Sequence, residues 1–194
     1  MVLTASTMLG LGTSAPDFQL ADVTSGEIIS LASFADKKAL LVMFICRHCP
    51  FVKHIQTELA KLGNDYFATG LGIVAISAND ASKYPDDAPE SLKQMAAELG
   101  FKFPLCYDQT QEIAKLYTAA CTPDFFLFDA QRKLVYRGQL DGSRPSNDIP
   151  VTGEDLRKAI DATLADEAVS SEQKPSIGCN IKWIPGNEPS YFHG

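Results

Sequence analysis

Residues 39–45, Ala-Leu-Leu-Val-Met-Phe-Ile, form an unbroken apolar run with no charge and no turn residue. The run is far too short to span a bilayer as a helix. It reads as a β-strand buried on both faces. Such a strand needs a packing layer above and another below, so this one segment demands a sheet held between other elements. The residues that follow supply part of one layer. Phe51, Ile55, Leu59, Leu62 and Tyr66 recur at spacings of four or three, the stripe of an amphipathic helix. Between strand and helix stands Cys46-Arg47-His48-Cys49-Pro50.

The other segments extend this pattern. Leu71–Ser77 reads as a second buried strand. Phe18–Val23 and Ile28–Leu31 predict an N-terminal hairpin around Ser25-Gly26. Leu92, Met95, Ala96 and Leu99 form a helical stripe that Gly100 closes. Asp108–Gln111 reads as a capping box opening a short helix through Leu116. Pro123–Asp129 and Leu134–Arg137 predict another hairpin. Thr152 is the predicted cap of a last helix, with Leu156, Ala159, Ile160 and Leu164 facing inward. From Asp166 the chain is polar and carries Pro175, Pro185 and Pro189, yet Ile177, Ile181, Trp183 and Ile184 predict that this tail packs on the body. The expected architecture is α/β: a central mixed β-sheet flanked by helices, a domain over residues 1–165 and a C-terminal extension over 166–194.

A formal net charge of −7 argues against a nucleic-acid or anionic-membrane partner. Met1–Pro16 lacks the basic and apolar regions of a secretory signal, which leads to the expectation of a cytoplasmic protein. The cysteines number 5, an odd count at irregular spacing, unlike a disulfide-stapled secreted domain. In a reducing compartment a Cys-x-x-Cys is catalytic or metal-binding.

Cys46 falls where the strand ends and the helix begins. Unpaired N–H groups and the helix dipole favour a thiolate there. Arg47 and His48 add positive charge, and in such settings a thiol falls to roughly 3.5–7.5 from about 8.5. The expected roles are Cys46 as attacking thiolate and Cys49 as resolving thiol. Arg47 and His48 are expected to tune the potential, making the pair more oxidising. Two buried cysteines acting as plain hydrophobes fit poorly with charged residues between them. A metal site needs further ligands, and Cys121, Cys179, His48 and His54 include no second Cys-x-x-Cys. No metal and no cofactor are expected. Cys106 reads as core.

The chain resembles the thioredoxin superfamily, and within it the peroxiredoxin-like proteins grouped with the alkyl hydroperoxide reductase and thiol-specific antioxidant family. Ala15-Pro16-Asp17-Phe18, Cys46-Arg47-His48-Cys49 and Thr122-Pro123-Asp124 carry the resemblance over about residues 12–165, and the tail around Pro175–Trp183 looks like that of the same branch. The resemblance implies a thioredoxin fold in which Pro123 is a cis proline facing the cysteines, with Thr122 offering its backbone to an extended substrate. It also implies a place for Cys121 beside the pair as a third thiol, with plain packing as the equal alternative. There are departures. Ile45 stands where thioredoxin has tryptophan, and Leu40 and Val52 stand where relatives carry a buried carboxylate. Aligned on the peroxiredoxin loop, the peroxidatic position falls at Cys49, its threonine at Cys46 and its proline at Val42; Arg137 is the candidate for its arginine.

The function expected is thiol–disulfide exchange by Cys46 and Cys49 in redox homeostasis. Its partners would be a protein or small-molecule disulfide and a thiol reductant. A thiol-dependent antioxidant peroxidase is the first alternative, and a metal-binding or redox-sensing module the second.

Overall fold

A computed structural model describes residues 3–192. In chain order it holds β1 (Leu3–Ala5), β2 (Gln19–Ala21), β3 (Ile28–Ser30), β4 (Ala39–Phe44), α1 (Pro50–Asp65), β5 (Leu71–Ser77), α2 (Pro89–Leu99) and β6 (Leu105–Tyr107). There follow α3 (Glu112–Leu116), β7 (Cys121–Thr122), β8 (Asp124–Phe128), β9 (Leu134–Gly138), α4 (Glu154–Leu164) and β10 (Ile177–Asn180).

The apolar run is β4, buried at every position. Its side chains alternate between two layers, as a strand's must. Leu41 and Met43 pack with Leu59 of α1, Met95 of α2 and Ile160 of α4. Leu40, Val42 and Phe44 pack with Phe18, Tyr117 and Trp183. Each fully buried side chain of this size is worth roughly 1.5–3 kcal/mol, so this strand organises both layers. It lies third in a five-stranded sheet of order β6-β5-β4-β8-β9. β5 runs parallel to β4, and β6 to β5; β8 is antiparallel to β4, and β9 to β8. The predicted hairpin is present as β2 against β3. Among the described residues no helix is long and apolar enough to cross a membrane.

Two predicted caps are displaced. The N-cap of α3 is Gln111, at φ 63. Asp108 satisfies a helix N–H from outside the expected box, accepting from Ala114 at 2.9 Å. The N-cap of α4 is Gly153, at φ 70, one residue beyond Thr152. The carboxylate of Asp141 takes the N–H groups of both Thr152 and Gly153, each at 2.7 Å.

The tail does more than pack on the body. β10 is the middle strand of a second sheet, antiparallel to β1 on one side and to β7 on the other. Gly178 makes this approach feasible, because a Cβ there would collide with the Thr122 carbonyl, a backbone group that cannot swing aside. Gly178→Ala should therefore push β10 off β7 and cost about 1–3 kcal/mol, as overpacking does. Urea unfolding measures this, and an unchanged midpoint would show that the two strands have room to spare.

Candidate active site

Strand register builds the site. β4 and β8 are antiparallel with Phe44 opposite Asp124. Two residues on from Phe44 and two back from Asp124, Cys46 meets Thr122, and its Sγ lies 3.3 Å from Thr122 Oγ1. The Thr122–Pro123 bond is cis, as the resemblance implied. From the other side β10 places Cys179 opposite Thr122. Directly opposed residues share a face of a sheet, so Cys179 points at the same cysteines. Its Sγ lies 2.9 Å from Cys49 Sγ. Cys49 Sγ is also 3.3 Å from the Thr122 carbonyl oxygen.

Cys121 pairs with Asn180 and faces the other way, its Sγ 3.5 Å from the Pro123 carbonyl oxygen. The third thiol brought to the pair is thus Cys179, in place of Cys121. The apolar residues around Cys179 signalled docking of the tail, but no local pattern carried its register. The backbone edge of Thr122, where an extended substrate was expected, is occupied by β10.

Cys46 and Cys49 are both 0% exposed, so Cys46 is not the more open of the two. The helix also begins later than expected. Cys49 is the N-cap of α1 and Pro50 its first residue, where a missing N–H costs nothing. An N-cap side chain meets the free N–H groups of the first turn. Cys49 is accordingly held far below the ordinary thiol range. The S–H of Cys179 is the largest cause and that of Cys46 the next; both outweigh burial, and the Val52 N–H adds to them. Cys46 is pushed up because it donates to Cys49, because it is buried, and because the Asp87 carboxylate is near. Cys179 is pushed up by its own donation to Cys49 and by burial. Of the three thiols, Cys49, the one at the helix end, is the one whose ionisation these contacts favour. The opposing cost is the Cys49–Thr122 hydrogen bond, which only the protonated thiol can donate.

Arg47 and His48 are tied down rather than free in the loop. Their N–H groups both donate to Asp87 Oδ1, at 2.7 and 3.1 Å. His48 Nδ1 bonds Asp87 Oδ2, and Asn79 Nδ2 reaches the same oxygen at 2.8 Å. An ionised carboxylate only accepts, so Nδ1 carries the hydrogen. Burial by itself would raise the Asp87 carboxyl, but His48 and Asn79 together hold it below its ordinary value. The His48 ring stacks on Tyr84 with centroids 5.2 Å apart. The Arg47 guanidinium leaves the thiols, donating to the Ser91 carbonyl at 2.7 Å and to Gln94 at 3.1 Å.

Asp87 is the site residue that sequence reasoning missed. The carboxylate absent at Leu40 and Val52 is supplied by a different loop. His54 bonds Ser143 at 2.7 Å, and Lys53 is exposed. A second buried acid, Asp124, follows Pro123; burial pushes it up to about 8, against the N–H groups of Ala120, Phe125 and Cys121. Arg137 is held by Gln173 of the tail at 2.7 Å. Donor atoms of Cys46, His48 and Asp87 lie within 4.8 Å of one another. That closeness includes the His48–Asp87 hydrogen bond, and three donors fall short of the four of a structural zinc site.

The tail is strapped to the same loop. Asn79 Oδ1 accepts from the Lys182 N–H at 2.8 Å, and the Asp80 N–H donates to the Lys182 carbonyl at 2.8 Å. Buried Gln111 donates to the carbonyls of Ala78 and Lys182, at 2.6 and 3.0 Å. A continuous hydrogen-bonded path therefore runs from His48 through Asp87 and Asn79 to the tail.

Known proteins resemble this chain to different degrees. A conserved protein of Geobacillus kaustophilus described as uncharacterized is 55% identical, with a TM-score of 0.94 over 96% of this chain and 98% of its own. A hypothetical protein of Sinorhizobium meliloti 1021 is 50% identical, with a TM-score of 0.93 over 94% of this chain and 100% of its own. A thiol:disulfide interchange protein of the thioredoxin family from Chlorobium tepidum TLS is 19% identical, with a TM-score of 0.62 over 80% of this chain and 98% of its own; that likeness shows the thioredoxin fold. The thiol-disulfide oxidoreductase ResA of Bacillus anthracis is 28% identical over 127 residues, 64% of this chain and 67% of that one. The AhpC/TSA family model matches residues 11–137, which hold both cysteines of the pair, Thr122 and the cis proline, and the chain belongs to the AhpC/TSA family.

Proposed function

We propose that this protein is a thiol–disulfide oxidoreductase whose working pair is Cys46 and Cys49, with the resting thiolate on Cys49. The observation that carries this is the Cys49 sulfur at the N-cap of α1, three residues after Cys46 and 2.9 Å from the Cys179 sulfur. The Cys49 thiolate attacks a substrate disulfide, forming a mixed disulfide and releasing one substrate thiolate. Cys46 then attacks Cys49 Sγ. This closes the Cys46–Cys49 disulfide and releases the second thiol, so two electrons pass to the substrate. An external thiol reductant returns the pair to its reduced state. The name of the ResA relative supports the reaction class. In this reading the roles are the reverse of those expected from the sequence, since Pro50 starts the helix behind the second cysteine.

The substrate is a protein or small-molecule disulfide. The tail strand β10 belongs to the site in this reading. The odd cysteine count and the acidic composition support a reducing, cytoplasmic setting.

Peroxide reduction is the second reading, favoured by one observation: Cys49, at the peroxidatic position, is the N-cap of α1. Its expected helpers are otherwise engaged, since the threonine position is Cys46 and Arg137 is bound to Gln173. Stopped-flow oxidation of the reduced protein, by hydrogen peroxide and separately by a protein disulfide, decides between them. The disulfide should react faster at equal concentration; a faster peroxide reaction would make this an antioxidant peroxidase.

His48→Leu should make the pair more reducing. The change removes a donor from Asp87 and leaves its charge less shared beside Cys46, which destabilises the reduced thiol pair. A charge-assisted hydrogen bond worth roughly 1.5–3 kcal/mol corresponds to about 30–65 mV for a two-electron couple. Equilibration with glutathione measures the shift, and an unchanged potential would leave His48 a bystander.

A further inference from the structure

We infer that Cys179 is a third redox-active thiol of this site, closing a second disulfide, Cys49–Cys179, between the catalytic helix and the tail strand. The inference rests on the proposed reactivity of Cys49 and adds a residue that the family match, ending at residue 137, does not reach. The two sulfurs lie 2.9 Å apart, against about 2.05 Å in a disulfide. Little movement is needed to join them.

The strand that carries Cys179 is also held in place. It pairs with β1 and β7 at the same time. On one side of Cys179, Gly178 lies flush against the Thr122 carbonyl and the Ser176 hydroxyl donates to the Pro123 carbonyl at 2.6 Å. On the other side, Asn79 and Gln111 hold Lys182. Pairing with the Thr122 edge makes β10 an internal occupant of the place expected for a substrate strand, and its cysteine sits where a substrate cysteine would.

The chemistry balances without a further oxidant. Starting from the Cys46–Cys49 disulfide, the Cys179 thiolate attacks Cys49 Sγ. The Cys49–Cys179 bond forms, the Cys46–Cys49 bond breaks, and Cys46 leaves as a thiolate that takes the proton Cys179 gave up. No electrons are gained or lost, and Cys46 is returned as a free thiol. In a chain lacking Cys46, the oxidant is an external disulfide. Cys49 attacks glutathione disulfide and releases one glutathione thiolate; Cys179 then attacks Cys49 Sγ and releases the second.

The test is disulfide mapping by mass spectrometry after oxidation of the full chain with glutathione disulfide and blocking of the remaining thiols. Cys46→Ser protein should lose two thiols and give a Cys49–Cys179 cross-linked peptide with no retained glutathione. A Cys46→Ser protein that stops at a stable Cys49–glutathione adduct overturns the inference alone. One in which Cys49 stays unreacted overturns both the inference and the proposed roles. Cys179→Ser protein should give the Cys46–Cys49 disulfide, and its formation keeps the working pair standing whatever becomes of Cys179. In the unaltered chain, titration with the glutathione couple should show both cross-links; finding Cys46–Cys49 alone at every ratio overturns the third-thiol role.

Discussion

Cys49→Ser protein is expected to fold normally and to lose thiol–disulfide exchange by at least about 10³-fold, as enzymes do when a nucleophile is removed. Folding should survive because Cys49 is the N-cap of α1 and serine is itself a preferred N-cap. The loss is then chemical: a serine hydroxyl neither ionises at neutral pH nor forms a disulfide. Cys121→Ala should retain exchange, since Cys121 lies on the opposite face of β7 and burial pushes its thiol up. The measurement is the rate of reduction of a protein disulfide at fixed thiol reductant, with circular dichroism to check the fold. If Cys49→Ser instead traps mixed disulfides with substrates through Cys46, the attacking thiol is Cys46 and the N-cap argument for the roles fails.

Asp87→Ala should cost the fold about 3–5 kcal/mol, the range for breaking a buried, charge-assisted cluster from one side. Asp87 is 0% exposed and gathers the backbone N–H groups of Arg47 and His48, the His48 ring and the Asn79 amide. Alanine strands all of these donors at once, and water reaches a buried pocket poorly. The effect should depend on pH in a defined direction. The folded carboxyl lies below its ordinary value, so its contribution is fully present above the unfolded value, about 3.9, and is lost as pH falls through the folded one. The gap between wild type and Asp87→Ala, read from urea midpoints, should be full at pH 7 and narrow progressively below about pH 4. A gap that stays constant into strong acid would mean that the cluster works through packing and not through the charge. Because Asn79 also holds Lys182, the variant should loosen the tail as well, seen as faster amide exchange around Cys179.

The reach of local pattern can be judged from particular residues. A seven-residue apolar run permits only a doubly covered strand, and β4 is that strand. The spacing of Phe51 to Tyr66 gives a helix with one apolar face, though its start at Pro50 lies beyond the one expected at Cys46. The cis proline facing the pair came from the family resemblance that Thr122-Pro123-Asp124 and the Cys-x-x-Cys carry, and the bond is cis. These features depend on periods of two and 3.6 and on the chemistry of proline, all of which act within a few residues. The thiol partner and the carboxylate partner of the pair were settled elsewhere. Cys179 reaches Cys49 across 130 positions, and Asp87 reaches Arg47 across 40. Both contacts depend on which strand edges meet and in what register, and a shift of one residue would turn Cys179 away and bring its neighbour round instead. Alternation along a strand says that two faces exist; only the paired backbone of β7 and β10, with Gly178 against the Thr122 carbonyl, decides which face of the tail looks at the cysteines.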